Sequence, residues 1–205
     1  MTTKQERDWR TYAPLELSPI LAAAADAFYE HGFHGTTVRD LARRVGLTVP
    51  SIYYHHESKE GVFVALLELA TGEVAWRVRA ASDAGGADVR QQFINVVETV
   101  VLHMAHRTRL AALDQELRHL SPDNRKRYAA RRKEVENLVT KIVEKGVLEK
   151  VFTTGLAAET ARAILGMCQS IGRWYNPDGP LSPTELAEQY VEIALMTVGA
   201  REKGV

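Results

Sequence analysis

Cysteine is nearly missing from this chain of 205 residues: Cys168 stands alone. One thiol cannot close an internal disulfide, and its apolar surroundings in "ILGMCQSIG" suit a reducing compartment. Net charge is missing as well. Lys plus Arg and Asp plus Glu each number 26, so the total offers no argument for nucleic acid, membrane or acidic substrate, and any such partner must be found locally. No stretch is long and apolar enough to span a bilayer, and the opening "MTTKQERDWRTYAP" carries charge without an apolar run. Neither a transmembrane helix nor a signal peptide is expected, and the expected location is the cytoplasm. Period-two alternation is absent over any useful length, which argues against strands. Internal repeats, low-complexity tracts, a glycine-rich phosphate loop and a G-x-S-x-G elbow are also lacking. What remains is an ordinary globular composition, long enough for one domain of moderate size or a small module fused to a larger one.

What is present is helical. In "SPILAAAADAFYEHG" Ser18 is an N-cap, Pro19 takes the first helical position, Ile20, Leu21, Ala24, Ala27 and Phe28 form a stripe, and Gly32 is a stop. "TTVRDLARRVG" repeats the plan with Thr37 as cap, Asp40 three residues on, and Gly46 as terminator. "LTVPSIYYHH" follows after a tight turn, capped by Thr48 with Pro50 in its first turn. Ser58 caps a fourth helix expected to end near Ala80. Beyond the gap "SDAGGAD", Val89, Phe93, Val96, Val97, Val100 and Met104 recur at helical spacing. Further helices are expected over 108–120, 122–145, 156–175 and 182–200. "NPDGP" before the last is turn chemistry, and "SPTE" joins an N1 proline to a capping box. The expectation is an all-α chain of about nine helices.

Two short helices around a glycine turn make a helix-turn-helix, whose second helix enters the major groove of DNA. With Val45, Leu47 and Ile52 turned to the core, the outward face would carry Thr48, Val49, Pro50, Ser51, Tyr53, Tyr54 and His55. Hydroxyls and ring edges there suit phosphates and bases, and Val49 and Pro50 offer apolar surface of the kind that meets a thymine methyl. Lys59 adds a charge at the start of the fourth helix. The adjacent histidines His55 and His56 make a poor metal site, because neighbours on a helix diverge by about 100°. His56 is expected as a surface polar residue.

Residues 18–63, with "FYEHGFHGTTVRDLARRVGLTVPSIYYHHESKEGVF", resemble the DNA-binding domain of the TetR family of bacterial transcriptional repressors. The resemblance implies a homodimer reading operator DNA, with a C-terminal region that binds a small molecule and dimerises. It places Thr37, Thr48, Tyr53 and Lys59 on phosphates, and Val49, Pro50, Ser51, Tyr54 and His55 near base edges. The chain departs from the pattern at Val49 and Pro50, where a basic or small residue often follows the cap, and at His56, where Phe is usual. The implied division is an N-terminal arm (1–17), the helix-turn-helix domain (18–63), and a ligand-binding and dimerisation domain (64–205). Residues 1–60 hold no basic excess, so the acids of the first helix must face away from DNA.

The eighth helix has two apolar stripes, one of Ala157, Ala161, Ile164, Cys168 and Ile171, the other of Ala163, Met167 and Trp174. Two stripes need two partners. One is the helix's own domain; the other, on the family resemblance, is a second subunit, with Trp174, Leu186, Tyr190, Ile193 and Thr197 at the interface of an intermolecular four-helix bundle. A fully buried central helix in a monomer is the alternative. A pocket is expected among residues 89–175, lined by Phe93, Met104, Leu113, Leu117, Leu138, Met167, Ile171, Trp174 and Tyr175, with His103 and Gln115 as polar anchors. The end "GRWYNPDGPLSPTELAEQY" is similar to that of a TetR subgroup regulating lipid and steroid breakdown, whose effector is often an acyl-CoA thioester. Such a ligand needs cations for its phosphates, and Arg107, Arg109, Arg118, Arg131 and Arg132 are in range along the sequence.

An enzyme is the rival class. "ELRH", residues 116–119, has the Glu-x-x-His spacing of a di-iron helix but no second such pair, and is expected to be surface polarity. His103 and His106 share a helix face without a Cys or carboxylate set to complete a metal shell. A helical interaction module that does not bind DNA is the third class. The reading adopted is a TetR-like repressor without a cofactor or metal, binding double-stranded operator DNA and a small apolar effector, with no membrane partner.

Overall fold

Side-chain caps start helices where the sequence marks them. Ser18, Thr37, Thr48 and Ser182 each accept a hydrogen bond from a backbone N–H of the following first turn, opening α1 (Pro19–Gly35), α2 (Val38–Val45), α3 (Val49–His56) and, last in the chain, α9 (Pro183–Thr197). Ser58 Oγ accepts from Gly61 N at 2.9 Å at the start of α4 (Lys59–Ala84), four residues longer than expected. α5 (Val89–His106), α7 (Pro122–Leu148) and α8 (Ala157–Trp174) complete the long helices. This computed structural model describes residues 8–201; residues 1–7 of the expected N-terminal arm lie outside the described residues. Nine α-helices and no strand occur among the described residues.

Besides the longer α4 and an α7 that runs past its expected end at 145 to Leu148, three boundaries differ from expectation. Gly32 adopts φ 68° and breaks α1, but a last turn resumes and carries the helix to Gly35. The single helix expected over 108–120 is α6 (Thr108–Ala112) followed by a 3-10 helix, Leu113–His119. Three residues per turn stack Leu113, Glu116 and His119 on one face. Leu113 is buried, Glu116 accepts the Phe33 N–H at 3.1 Å, and His119 pairs with His34 at 2.8 Å. An α-helix would have fanned those three over about 120°. α9 stops at Thr197, three residues early, because Gly199 turns left-handed at φ 61° and its neighbour Val198 receives the Thr153 and Thr154 N–H groups.

The chain forms two compact units, neither following a single cut after residue 63. The small unit joins residues 15–73 to 107–133; the large unit joins residues 8–14, 74–106 and 134–201. In the small unit Phe28, Phe33 and Phe63 meet within 5.8 Å of one another, with Leu41, Ile52, Leu66, Leu110 and Leu113 buried around them. In the large unit α5 lies against α8 and α9, burying Phe93, Val97, Val101, Ile164, Ile171 and Leu186. Gly146 lets the Phe152 ring seat there, since a Cβ would stand 2.0 Å from it. Cys168 is fully buried in this core, and burial pushes its thiol up to about 12.

Candidate functional site

The turn between α2 and α3 decides which residues face out. Gly46 is left-handed at φ 67°, and Leu47 N donates to Ala42 O at 2.9 Å, a Schellman closure. That closure carries Leu47 outward, 42% exposed, so the expectation that it joins the core is wrong. Ile52 is fully buried, as expected. Val49, expected to face out, is half-buried and packs on the small unit's core, because it lies one turn before the buried Ile52 on α3. Thr48, Pro50, Tyr53, Tyr54 and His55 are exposed and Ser51 is half-buried. Tyr54 is 86% exposed and Tyr53 47%, a large aromatic area left uncovered on one short helix.

Polar groups around this face are partly engaged. Thr37 Oγ1 donates to Asp40 Oδ2 at 2.6 Å while accepting from Asp40 N at 3.1 Å. Thr48 Oγ1 accepts from Ser51 N at 3.3 Å and pairs with Ser51 Oγ at 2.9 Å. Both threonines are exposed, with capping as their role inside the chain. His56 is half-buried and not a surface residue; burial, then the neighbouring His55, lower its pKa. The acids of α1 are matched within the small unit, Asp26 by Arg109 and Glu30 by Arg44 at 2.7 Å. Arg39 on α2, which the sequence reading passed over, is exposed and has no ion-pair partner among the described residues. Its signal was available as the one basic residue in the first turn of α2.

Lys59 and the "ELRH" segment converge on the end of α1. Lys59 Nζ donates to Phe33 O at 2.7 Å and Thr36 O at 2.9 Å and lies 4.3 Å from the Phe33 ring centroid. Burial lowers its pKa. Two of its three N–H groups thus hold the turn into α2, which differs from a charge standing free beside helix N–H groups. Glu116 and His119 are not mere surface polarity: Glu116 receives the Phe33 N–H, and His119 stacks on Phe33 at 5.8 Å while bonded to His34.

The residues expected to line one pocket are not brought together. Phe93, Ile171 and Tyr175 are buried in the large unit's core, Met104 and Met167 pack against it, and His103 is buried beside Tyr12. Leu113 and Leu117 belong to the core of the small unit, and Gln115 is exposed there. Sequence spacing could not separate two cores interleaved along the chain. A cavity of about 290 Å³ does lie within the large unit, between α4 and α7. Ala75, Val78, Val135 and Leu138 give it an apolar wall, and Arg79, Glu134, Asn137 and Lys141 a polar one; only Leu138 was anticipated. The arginines considered for phosphates are elsewhere. Arg107 grips both Glu73 carboxylate oxygens at 2.9 Å in a buried pair, Arg109 pairs with Asp26, Arg118 donates to His119, Arg132 faces Asp114, and Arg131 is exposed in the small unit. The cations at the cavity are Arg79, joined to Glu134 at 2.8 Å, and Lys141.

Comparison with known proteins bears on both ends of the chain. Residues 20–66 match the family described as bacterial regulatory proteins, tetR family, and residues 86–198 match the tetracyclin repressor-like C-terminal domain. The chain belongs to the TetR family. It is a TetR-family transcriptional repressor in its relationships, not an enzyme; regulators of this family bind operator DNA and small-molecule ligands, typically as dimers. The repressor KstR2 of Rhodococcus jostii is 30% identical over 179 residues, 86% of this chain and 87% of that one. The solved ketosteroid regulator KstR2 of Mycobacterium tuberculosis superposes with a TM-score of 0.82 at 25% identity, over 92% of this chain and 98% of its own. AibR, solved with isovaleryl coenzyme A and operator DNA, has a TM-score of 0.78 at 18% identity over 89% and 97% of the two chains, a likeness of fold alone.

On this TetR-family chain the two apolar stripes of α8 separate cleanly. Ala161, Ile164, Cys168 and Ile171 are buried, whereas Ala163, Gly166 and Trp174 are exposed and Met167 is half-buried. On α9, Ile193, Met196 and Thr197 are exposed. Leu186, expected at a subunit interface, is 1% exposed in the protomer's own core, and Tyr190 packs on that core; the i, i+4, i+7, i+11 stripe keeps to one face of α9, and its surroundings change along the helix, buried at Leu186 and exposed at Ile193 and Thr197. No helix among the described residues is long and apolar enough to cross a membrane.

Proposed function

We propose that this repressor acts in the cytoplasm, binding operator DNA as a homodimer through the outward face of α3, and that a small effector with an apolar body releases it. The exposed tyrosines of a capped eight-residue helix carry this reading, since Tyr54 is 86% exposed and its ring meets the neighbouring His55 ring only edge-on, at 5.3 Å. Tyr53, Thr37, Thr48 and Arg39 contact phosphates, joined by the remaining N–H of Lys59. Pro50, Ser51, Tyr54 and His55 meet base edges, with Val49 setting the depth of α3 by packing inward. The outward face of α8 and α9, through Ala163, Gly166, Trp174, Ile193, Met196 and Thr197, forms the dimer contact. In this reading residues 18–63 carry the DNA contacts and residues 64–205 the effector and dimer functions.

The effector occupies the α4–α7 cavity. Its apolar wall gains about 25 cal/mol per Å² of hydrocarbon removed from water, and an anionic group on the ligand competes with Glu134 for Arg79 and with water for Lys141. An acyl-CoA thioester combines both features. α4 runs unbroken from Lys59, bonded at the α1–α2 turn, to the cavity-lining Ala75, Val78 and Arg79, so displacement of its second half is linked to the DNA-contacting helices.

Sequencing of genomic fragments retained by the purified protein supplies the operator, and titration against operator and random duplex at several salt concentrations tests the face. Tyr53→Phe weakens both duplexes alike, and Tyr54→Ala changes the ratio between them; the reverse pattern refutes the assignment. Calorimetry with acyl-CoAs, free fatty acids and small aromatic compounds tests the cavity. Equal affinity for a free acid and its thioester removes the CoA part, and DNA release by a small polar metabolite alone removes the apolar effector.

A further inference from the structure

At its end α1 leaves helical geometry and is held by side chains from elsewhere in the small unit. Gly32 stands at φ 68° and ψ 177°, and the next N–H, that of Phe33, donates to Glu116 Oε2 at 3.1 Å. Lys59 Nζ donates to the Phe33 and Thr36 carbonyls, and the buried Thr36 hydroxyl shares its proton between Gly32 O at 2.9 Å and Ala27 O at 3.0 Å. One residue later Thr37 caps α2. A second set of bonds reaches the same turn from the 3-10 helix. Arg118 Nε donates to His119 Nε2 at 3.1 Å, and His119 Nδ1 lies 2.8 Å from His34 Nε2 with the two rings at 78°. A guanidinium only donates, so His119 Nε2 is an acceptor, the ring proton sits on Nδ1, and that N–H donates to His34. All of these residues belong to the small unit.

We propose that this relay makes DNA binding sensitive to protons, with Glu116 and His119 as positioning residues for the turn into α2: the brace is closed while both imidazoles are neutral and opens on acidification. It rests on the DNA-binding reading above and is independent of the effector cavity. The neutral relay has no place for another proton. On His34 Nε2 a proton faces the His119 N–H at 2.8 Å; on His119 Nε2 it faces the Arg118 N–H at 3.1 Å and draws the imidazolium toward Glu116 Oε2, 3.4 Å away, the oxygen that accepts from Phe33. The charges around His119 act in the same sense. Lys59 of α4 and Arg118 are cations, Arg125 of α7 donates to Arg118 O at 2.9 Å, and Glu116 is the acid of the group; His31, the other imidazole at this end of α1, meets Glu30 and Arg44. Partial burial and then His34 hold the His119 imidazole below the usual His range, Glu116 opposes them, and Arg118 and Lys59 add to the lowering. A His pKa lower in the closed brace than in the open one means that the open form binds more protons, so closure is favoured above about pH 6.5 and lost as pH falls through the closed value. Opening releases Phe33 and His34, and with them the turn that sets Thr37 and Arg39.

The test follows DNA binding of the full chain by fluorescence anisotropy at constant ionic strength, with a genomic fragment retained by the wild-type protein at neutral pH as the probe. Wild type, His119→Asn, Glu116→Ala and Glu116→Gln are compared. Asn keeps an N–H within reach of His34 and takes up no proton. The ratio of wild-type to His119→Asn affinity should therefore fall by about three- to tenfold from about pH 8 to about pH 5.5, within the limit of about tenfold per pH unit that one linked proton sets. Taking the ratio cancels the titration of His55 and His56, which both proteins share. Glu116→Ala should bind several-fold more weakly at the alkaline end, and Glu116→Gln, whose amide oxygen accepts the Phe33 N–H, should recover most of that loss. Parallel profiles for wild type and His119→Asn overturn the proposal, as does Glu116→Gln binding as weakly as Glu116→Ala. Should His119→Asn fail to fold, NMR titration of the wild-type imidazoles decides: a His119 ring protonated above about pH 6.5 reverses the sign and overturns the switch, and one protonated below it upholds the switch. If no genomic fragment is retained at any pH, the DNA-binding reading fails and takes the brace with it, whereas binding with parallel profiles removes the brace alone.

Discussion

Replacing Gly61 by alanine sets two known energies against each other at the α3–α4 junction. Gly61 is the third residue of α4, and a Cβ there would stand 1.9 Å from the His56 carbonyl oxygen and 3.1 Å from its carbon. The obstructing atoms are backbone, in a tight turn where Glu57 already holds φ 58°, so no side chain can swing aside. Relief requires His56, the last residue of α3, to move by roughly an ångström or more to reach ordinary contact distance. Overpacking of this kind costs about 1–3 kcal/mol, while alanine in place of glycine gains about 1 kcal/mol in a helix interior. Gly72 on the same helix provides the control, because a Cβ there meets nothing within 4 Å. The propensity gain is common to both substitutions and cancels in the comparison. Gly61→Ala should therefore melt below Gly72→Ala by the overpacking cost alone, about 2–12 °C at 2–4 °C per kcal/mol for a chain of this size. Circular dichroism reads that difference, and anisotropy should find operator affinity reduced in Gly61→Ala and unchanged in Gly72→Ala. Equal melting temperatures and equal operator affinity would refute the argument that backbone contact fixes the seat of α3.

Lys59→Met removes the bonds to Phe33 O and Thr36 O and should lower the melting temperature by several degrees, at about 1–3 kcal/mol, and the salt slope of DNA binding by about one unit; an unchanged melting temperature sinks the latch role. Arg107→Met leaves Glu73 buried without the guanidinium that grips it, so urea denaturation should show a loss of about 3–5 kcal/mol, and a loss below 1 kcal/mol would mean the pair is wetter than its burial implies. A Cβ at Gly166 would meet nothing within 4 Å in the protomer, and Gly166 lies on the proposed dimer face, so sedimentation of Gly166→Leu should give folded monomers; a dimer of wild-type affinity moves the interface elsewhere. Glu60 accepts from Ser121 N and Asn124 Nδ2, each at 2.8 Å, and these bonds hold its pKa below the usual 4.5. A depressed carboxyl pKa stabilises the fold above the unfolded value and loses that contribution as pH falls through the folded one. Melting curves of wild type and Glu60→Gln should therefore be furthest apart above about pH 4.5 and converge below it; a gap that widens on acidification contradicts the sign.

Local signals in the sequence proved the most legible. Ser18, Thr37, Thr48, Ser58 and Ser182 mark helix starts through chemistry confined to four residues, and each cap is made. The buried and outward stripes of α8 were readable because 18 residues of one helix set the period. The face of α3 was readable in part: Pro50, Tyr53, Tyr54 and His55 are outward, but eight residues are too few to fix the phase at either end, and Val49 and Leu47 exchanged places with respect to the core. What the sequence could not convey is which distant residues meet. Lys59 with Phe33, Glu116 with Phe33, and Arg77 with Trp9 are separated by tens of residues, and nothing in their local patterns selects the partner. The interleaving of two cores defeated the pocket list for the same reason, since Leu113 and Leu138 both read as apolar helix residues yet belong to different units.

The isolation of Cys168 has a practical side. Fully buried and with its thiol held near pH 12, it stays protonated and out of reach of alkylating reagents at neutral pH. The wild-type chain is in effect a blank for thiol labelling, with its core left untouched. A fluorophore or spin label attached through a cysteine placed at Tyr54 would report on DNA engagement as a single signal against no background.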